Sequence, residues 1–326
     1  MGGGVFLFYQ AFSQTNITKV LQDLGHARYL YVFISMVLGY IAFISRGIRW
    51  NLLLGPLGKK ANTWRAIHAV SIGYLTNIAV PRAGELARCT SLNRTDKIPV
   101  DRLFGTVVLE RIFDMAMLLI IILLTVVLEY DKLLGLFNNA TERSVEAEDG
   151  GVSWMLIAGI IIIFGVILVI LFFRERITSH PMWQKVRDFY NGFKEGLKAF
   201  GKVENKTAFI GHTVFIWILY FTMNYIVVYS LDATSGIGLS AGLFVMVAGG
   251  LGMVIPTPGG VGSYHYLVML ALGVLGIEES DGVSFATLVH AGQTLMTIIA
   301  GGIATLAIFN YRRKSKRNDI QGSPST

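Results

Sequence analysis

Long apolar runs dominate the chain, and short polar stretches separate them. A helix needs about 20 residues, within a range of about 17–25, to cross the hydrocarbon of a bilayer. Residues 29–45, 103–128, 154–173, 207–230 and 283–309 meet that need and read as transmembrane helices. Two other apolar stretches are interrupted. Residues 66–80 form a short run that stops at Pro81, and residues 237–276 are broken by Pro256-Thr257-Pro258-Gly259-Gly260. A first run at residues 5–12 is too short to span and lacks the basic flank of a signal peptide. It reads as the second half of a longer helix. Within residues 176–206, Trp183, Val186, Phe189, Tyr190, Phe193 and Leu197 recur at helical spacing. That pattern predicts an amphipathic cytoplasmic helix, either lying on the membrane surface or packed under the bundle.

Composition agrees with the pattern. Hydrophobic residues make up 53% of the 326 and charged residues 15%, against about 25% charged in soluble chains. A water-soluble single core and a disordered chain are both excluded. Cys89 is the one cysteine, so disulfides within the chain and cysteine-based zinc sites are excluded as well.

The net charge of +7 is unevenly placed. Residues 46–65 hold five Lys/Arg and no acid, residues 174–206 eight against four acids, and the stretch after Asn310 five against one. Residues 129–150 hold six acids against two bases, and residues 277–282 three acids and no base. The positive-inside rule puts the basic segments in the cytoplasm and the acidic ones outside. Basic segments between apolar runs suit an anionic membrane face, so no nucleic-acid partner is expected.

Parity then constrains the interrupted runs. The stretch 66–93 must leave the cytoplasm and return to it, with its tip near residues 77–85. The stretch 237–276 must start and end outside, turning at the Pro/Gly break. Broken helices at membrane depth are tolerated only inside protein or beside a wet cavity, and two of opposite orientation suggest an inverted-repeat transporter. The expected fold is an all-α polytopic membrane protein with about 6–8 transmembrane helices plus two re-entrant or broken elements of opposite orientation. Residues 1–310 form one membrane domain, and residues 311–326 form a basic, disordered cytoplasmic tail. The expected location is the cell (inner) membrane.

Charges inside membrane segments cost at least about 2.5–3.5 kcal/mol each on insertion scales, which marks them as functional candidates. Three sets qualify. In the first, Asn77 precedes Pro81-Arg82-Ala83-Gly84-Glu85-Leu86-Ala87-Arg88. If Pro81 opens a helix, Arg82, Glu85 and Arg88 follow one another at offsets of three. Glu85 then holds two arginines ready for a phosphate. In the second set, Glu110, Arg111 and Asp114 lie early in a long apolar helix. Their excess of negative charge predicts pairing with Arg82 or Arg88 across helices. In the third, Gly259, Gly260 and Gly262 follow the proline break. A helix restarting near Gly262 aims its free N–H groups into the membrane interior as an anion site. His265 and His290 are candidates to titrate or to donate to phosphate. Gln293, Thr294 and Thr297 continue the polar face of the last helix. Arg46, Arg49 and Trp50 lie at a cytoplasmic helix end, where snorkelling and interface anchoring account for them.

Four stretches in this order, Ser45-Arg46-Gly47-Ile48-Arg49-Trp50-Asn51-Leu52-Leu53, Pro81 to Arg88, Glu110-Arg111-Ile112-Phe113-Asp114 and Pro258-Gly259-Gly260-Val261-Gly262, resemble a known family. It is the flippase-like family, the transmembrane region of lysylphosphatidylglycerol synthases that also occurs as stand-alone proteins. The resemblance spans nearly the whole chain. It implies a stand-alone flippase-like protein without the soluble domain that makes the aminoacyl lipid. Two positions depart from the family pattern. His265 stands where the family often has Glu, and His290 where an Arg is frequent. A charge pair between them is therefore changed on both sides, and the choice of substrate stays open.

The function expected is a lipid flippase or transporter that moves an anionic lipid or lipid-linked headgroup, on a phospholipid or a polyprenyl phosphate. Arg82 and Arg88 hold the headgroup, Glu85 and Asp114 orient them, and the Gly259–Gly262 turn assists. Two alternatives stand beside it: an ion-coupled transporter of a small soluble anion, and a membrane partner of a lipid-modifying enzyme. No nucleophile–base set or metal-ligand spacing is visible, so neither enzymatic activity nor a cofactor is expected. Membrane lipids are the expected partners. A homodimer and a lipid-synthesising enzyme are the protein partners left open.

Overall fold

A computed structural model describes residues 15–55, 61–130, 200–255 and 257–321. The chain divides into two compact units, residues 1–125 with 200–326, and residues 126–199. The second unit lies almost wholly outside the described residues, and with it the span expected at 154–173 and most of the helix expected at 176–206. The run at residues 5–12 also lies outside them.

The described residues hold nine α-helices: α1 (Ile17–His26), α2 (Tyr29–Leu52), α3 (Thr63–Ala79), α4 (Gly84–Asp96), α5 (Val100–Leu128), α6 (Lys206–Tyr225), α7 (Leu239–Val254), α8 (Ser263–Val274) and α9 (Glu279–Gln321). Short 3₁₀ turns at Ile226–Ser230, Asp232–Thr234 and Pro258–Gly260 link the later ones. Four segments, Tyr29–Leu52, Val100–Leu128, Lys206–Ser230 and Glu279–Tyr311, are long and apolar enough to cross a membrane. On α5, Leu119, Ile120, Leu123 and Leu124 are all exposed. Large aliphatic side chains clustered on an open helix face suit hydrocarbon rather than water. The protein is a helical membrane protein.

Local chemistry sets the boundaries. Asn16 Oδ1 accepts from the Lys19 amide at 3.2 Å, and Asn62 and Asn205 cap α3 and α6 in the same way. Lys97 ends α4 in a left-handed conformation at φ 56°. Residues 311–321 continue α9 as helix. The expectation of a disordered tail starting at residue 311 is corrected there, because Arg and Lys are good helix formers on an existing helix end.

Two helical hairpins correspond to the interrupted runs. α3 and α4 pack closely through Gly73 and Gly84, where a Cβ on Gly84 would strike the Gly73 carbonyl oxygen and Asn77. The Gly84 amide donates to Asn77 Oδ1 at 2.7 Å. Between them Pro81 forces Val80 into an extended conformation, φ −130° and ψ 106°. Pro81 therefore does not open α4, which begins three residues later at Gly84. In the second hairpin, a Cβ on Gly252 would sit 2.8 Å from the Ser263 carbonyl oxygen and 2.9 Å from Tyr264 Cα. Glycine there lets α7 and α8 touch backbone to backbone. The two tips meet, since a Cβ on Gly259 would lie 3.8 Å from Ile78. α9 packs along both hairpins, with Gly301 against Leu75 of α3 and Gly282 against Met269 of α8.

Candidate functional site

The charged residues of α2, α4 and α5 gather into one buried cluster. Arg46 and Arg49 share a face of α2 at i,i+3, and Glu110 and Asp114 share a face of α5 at i,i+4. Those faces meet. Glu110 accepts from Arg46 at 2.7 Å, from Arg49 at 2.9 Å and from Arg88 at 2.9 Å. Asp114 pairs with Arg46 at 2.7 Å and with Arg49 at 2.8 Å. Arg49 and Glu110 are wholly buried, and Arg46 is 3% exposed. Buried charges are tolerated when each has an opposite partner, and every charge of this cluster has one, although Nε of Arg46, Arg49 and Arg88 makes no hydrogen bond among the described residues. Arg88 also sits 4.8 Å above the Trp50 ring, and the Trp50 indole donates to Thr106 Oγ1 at 2.9 Å. Arg46, Arg49 and Trp50 thus point into the protein. Snorkelling and interface anchoring do not describe them, because α2 presents them to α5 rather than to the surface.

The pairings predicted within the Pro81–Arg88 run are also corrected. Glu85 pairs with Arg111 of α5, and Arg88 with Glu110. Arg82 precedes α4 and takes φ 65°, so the offset of three that would set it beside Glu85 does not apply. It makes no ion pair among the described residues. A left-handed non-glycine residue costs of order 1 kcal/mol or more and collects at functional sites. The predicted cross-helix pairing of the Glu110 set is present for Arg88.

Beside this cluster lies a cavity of about 570 Å³, within the usual range of about 300–1,000 Å³ for ligand sites. Arg46, Arg82, Glu85, Arg111 and Asp114 are the charged residues of its lining. Asn77, Gly259, Gly260 and His290 line it at the meeting of the hairpin tips, and Gln293, Thr294 and Thr297 continue the lining along α9. Met115, Met223, Met246, Met253 and Met296, from four helices, add apolar lining, using five of the 11 methionines in the chain. Methionine adapts its shape to varied apolar partners. Met115 and Met253 are exposed, so this apolar lining reaches the protein surface.

The remaining predicted residues divide. His290 reaches the tip, where its Nε2 donates to the Gly259 carbonyl at 2.8 Å. His265 is buried, with its ring 4.9 Å from that of His290, outside the cavity lining. Gly262, at φ 85°, caps α8 behind the cavity, and Ser263 is buried with its hydroxyl 2.8 Å from that of Thr257. Of the start of α8 only Tyr264 lines the cavity, while Gly262 and Ser263 do not, so the first turn is not presented to the cavity as the expected anion site. Arg88 and Glu110 belong to the buried cluster rather than to the cavity wall. Tyr220 and Asn224 do line the cavity, although the sequence did not single them out. Tyr220 accepts from Arg46 at 2.8 Å, and Asn224 accepts from the Tyr264 hydroxyl at 3.1 Å. Their spacing on α6, at i,i+4 in an apolar helix, was the available signal.

The family model described as lysylphosphatidylglycerol synthase TM region matches residues 2–301. UPF0104 membrane protein MJ1595 of Methanocaldococcus jannaschii is 24% identical, over 95% of this chain and 95% of its own. Glycosyltransferase AglD of Haloferax volcanii is 25% identical, over 90% of this chain and 51% of its own, so the chain spans about half of that protein. No solved structure matches.

Proposed function

The chain belongs to the family of the lysylphosphatidylglycerol synthase transmembrane region, and from that premise we propose that it moves an anionic lipid or lipid-linked headgroup between membrane leaflets. One observation carries this. Arg82 lines the cavity as a cation with no ion-pair partner among the described residues, held in a strained turn between two helices. Such a guanidinium is set to take a phosphate.

Arg82 receives the phosphate, and the ends of Arg46 and Arg111 that reach the cavity add to the positive field. Glu85 and Asp114 keep those two arginines in place through the ion pairs that join α4 and α2 to α5. The lining methionines accept the first carbons of the tails, while the rest of the tails stay in the bilayer. The two hairpin tips that meet at Gly259 and Ile78 are the parts that part and close as the headgroup passes. The chain works as a carrier rather than an enzyme, in the cell membrane, with its basic C-terminal end in the cytoplasm. The substrate is a phospholipid or a polyprenyl phosphate.

Native mass spectrometry of the full chain from mild detergent tests this, on wild type and Arg82→Ala, with the retained lipids identified. An anionic lipid held by wild type and lost from the variant is the expected result. Identical lipids on both proteins, or none on either, overturn it.

We also propose a second role, as membrane partner of an enzyme acting on lipid-linked substrates. The relative named as a glycosyltransferase supports it, because this chain corresponds to about half of that protein. Co-purification of such an enzyme with the tagged chain, from cells whose transport is unaffected by Arg82→Ala, favours this role over transport.

A further inference from the structure

The charges around the cavity carry information about its ligand beyond the need for an anion. Two carboxylates line it among the described residues, Glu85 and Asp114. Both are already committed. Glu85 pairs with Arg111, and Asp114 pairs with Arg46 and Arg49. Glu110 behind them is wholly buried among three arginines. Five arginines, at 46, 49, 82, 88 and 111, therefore stand against three carboxylates, and the uncommitted charge at the cavity is the positive one on Arg82.

Along α9 the lining is uncharged or a histidine. Gln293 donates to Ser35 and Thr297 to the Gln293 carbonyl. Thr294 lines the cavity with a hydroxyl that makes no hydrogen bond among the described residues. A headgroup ammonium entering here would find no free carboxylate among the described residues and would lie in the field of Arg82. Separating it from water without a partner is costly. A hydroxyl in the same place finds Thr294 as donor or acceptor.

We infer that the cavity selects a phosphate headgroup whose substituent is uncharged, and rejects headgroups that carry an ammonium. This rests on the lipid-carrier reading above and narrows it to one charge class. Phosphate with a neutral hydroxylated substituent is the chemistry recognised, and it also exists in soluble form, as glycerol 3-phosphate.

The test is a competition read by native mass spectrometry on the full chain in mild detergent. The probes are phosphatidylglycerol, lysylphosphatidylglycerol and glycerol 3-phosphate, on wild type, Arg82→Gln and Arg82→Glu. The two lipids share phosphate and glycerol and differ by the lysyl ester with its ammonium groups. The expected result is a preference of wild type for phosphatidylglycerol over its lysyl ester of at least about tenfold. Arg82→Gln loses bound phosphatidylglycerol and with it the preference, and Arg82→Glu favours the lysyl ester. Arg82 is exposed and outside the buried cluster, so both variants fold. Equal binding of the two lipids in wild type, or preference for the lysyl ester, overturns this inference and leaves the lipid carrier standing. Binding of glycerol 3-phosphate with neither lipid overturns the lipid carrier itself, in favour of a soluble anion. Binding of none of the three overturns both.

Discussion

Arg46 and Glu110 meet at 2.7 Å inside the bundle, one 3% exposed and the other wholly buried. The pair links α2 to α5, and Arg49 and Arg88 join the same carboxylate from α2 and α4. Glu110 is thus the node through which three helices share one negative charge. Removing one partner of a buried ionic cluster leaves uncompensated charge, which costs about 3–5 kcal/mol. Glu110→Ala is expected to lower folded yield and the thermal midpoint in detergent sharply. Size-exclusion chromatography and a thermal unfolding scan check this. A variant with the wild-type midpoint shows that the node is dispensable.

Glu85 and Arg111 present the contrasting case. Arg111 is 43% exposed and Glu85 24%. Partly exposed ion pairs contribute about 0–1 kcal/mol. Glu85→Gln is expected to change stability by less than about 1 kcal/mol, while lipid transport in proteoliposomes falls strongly because Arg111 loses its anchor. Normal transport in this variant removes Glu85 from the site.

The second hairpin depends on glycine at one face only. Gly252 has backbone of α8 within 3 Å of where a Cβ would be, whereas Gly250 has nothing within 4 Å. Gly252→Ala is expected to cost about 1–3 kcal/mol through overpacking. Gly250→Ala is expected to be neutral or slightly stabilising, since alanine favours helix. Thermal midpoints of the two variants, side by side, measure this difference, and equal midpoints contradict a tight contact of α7 with α8 at Gly252.

Lys19 of α1 joins the start of α9 through Glu278 at 2.7 Å and Asp281 at 3.1 Å. The hydrogen bond to Glu278, helped by Asp281, holds the ammonium above its usual value of 10.5 against a smaller lowering by burial. A raised lysine stabilises the fold fully below its unfolded value and loses that contribution as pH rises through the folded one. The stability gap between wild type and Lys19→Met is therefore expected to be flat from about pH 7 to about pH 9 and to shrink above about pH 10.5. Unfolding scans across that range measure it, and a gap that grows with pH contradicts the pairing.

The sequence alone determined the elements and the breaks between them. Of the five apolar runs read as spans, the four within the described residues are helices long enough to cross a membrane, and Pro81 and the Pro256–Gly260 break predicted the two hairpins. This was legible because helix length and proline geometry act locally. It also picked out Arg82, Glu85, Arg111, Asp114 and His290, all of which line one cavity, because a charge in an apolar run is conspicuous wherever it lies.

The tertiary structure alone decided who pairs with whom. Glu85 faces Arg111 rather than its own neighbours, and Arg46 and Arg49 turn inward rather than toward the membrane surface. Gly262 and His265 fall behind the cavity while Gly259 and His290 reach it. Each of these outcomes depends on how one helix is rotated against another. That rotation is fixed by contacts such as Gly84 on Gly73 and Gly252 on Tyr264, between residues that close packing brings together and that no local spacing relates to the charges they position.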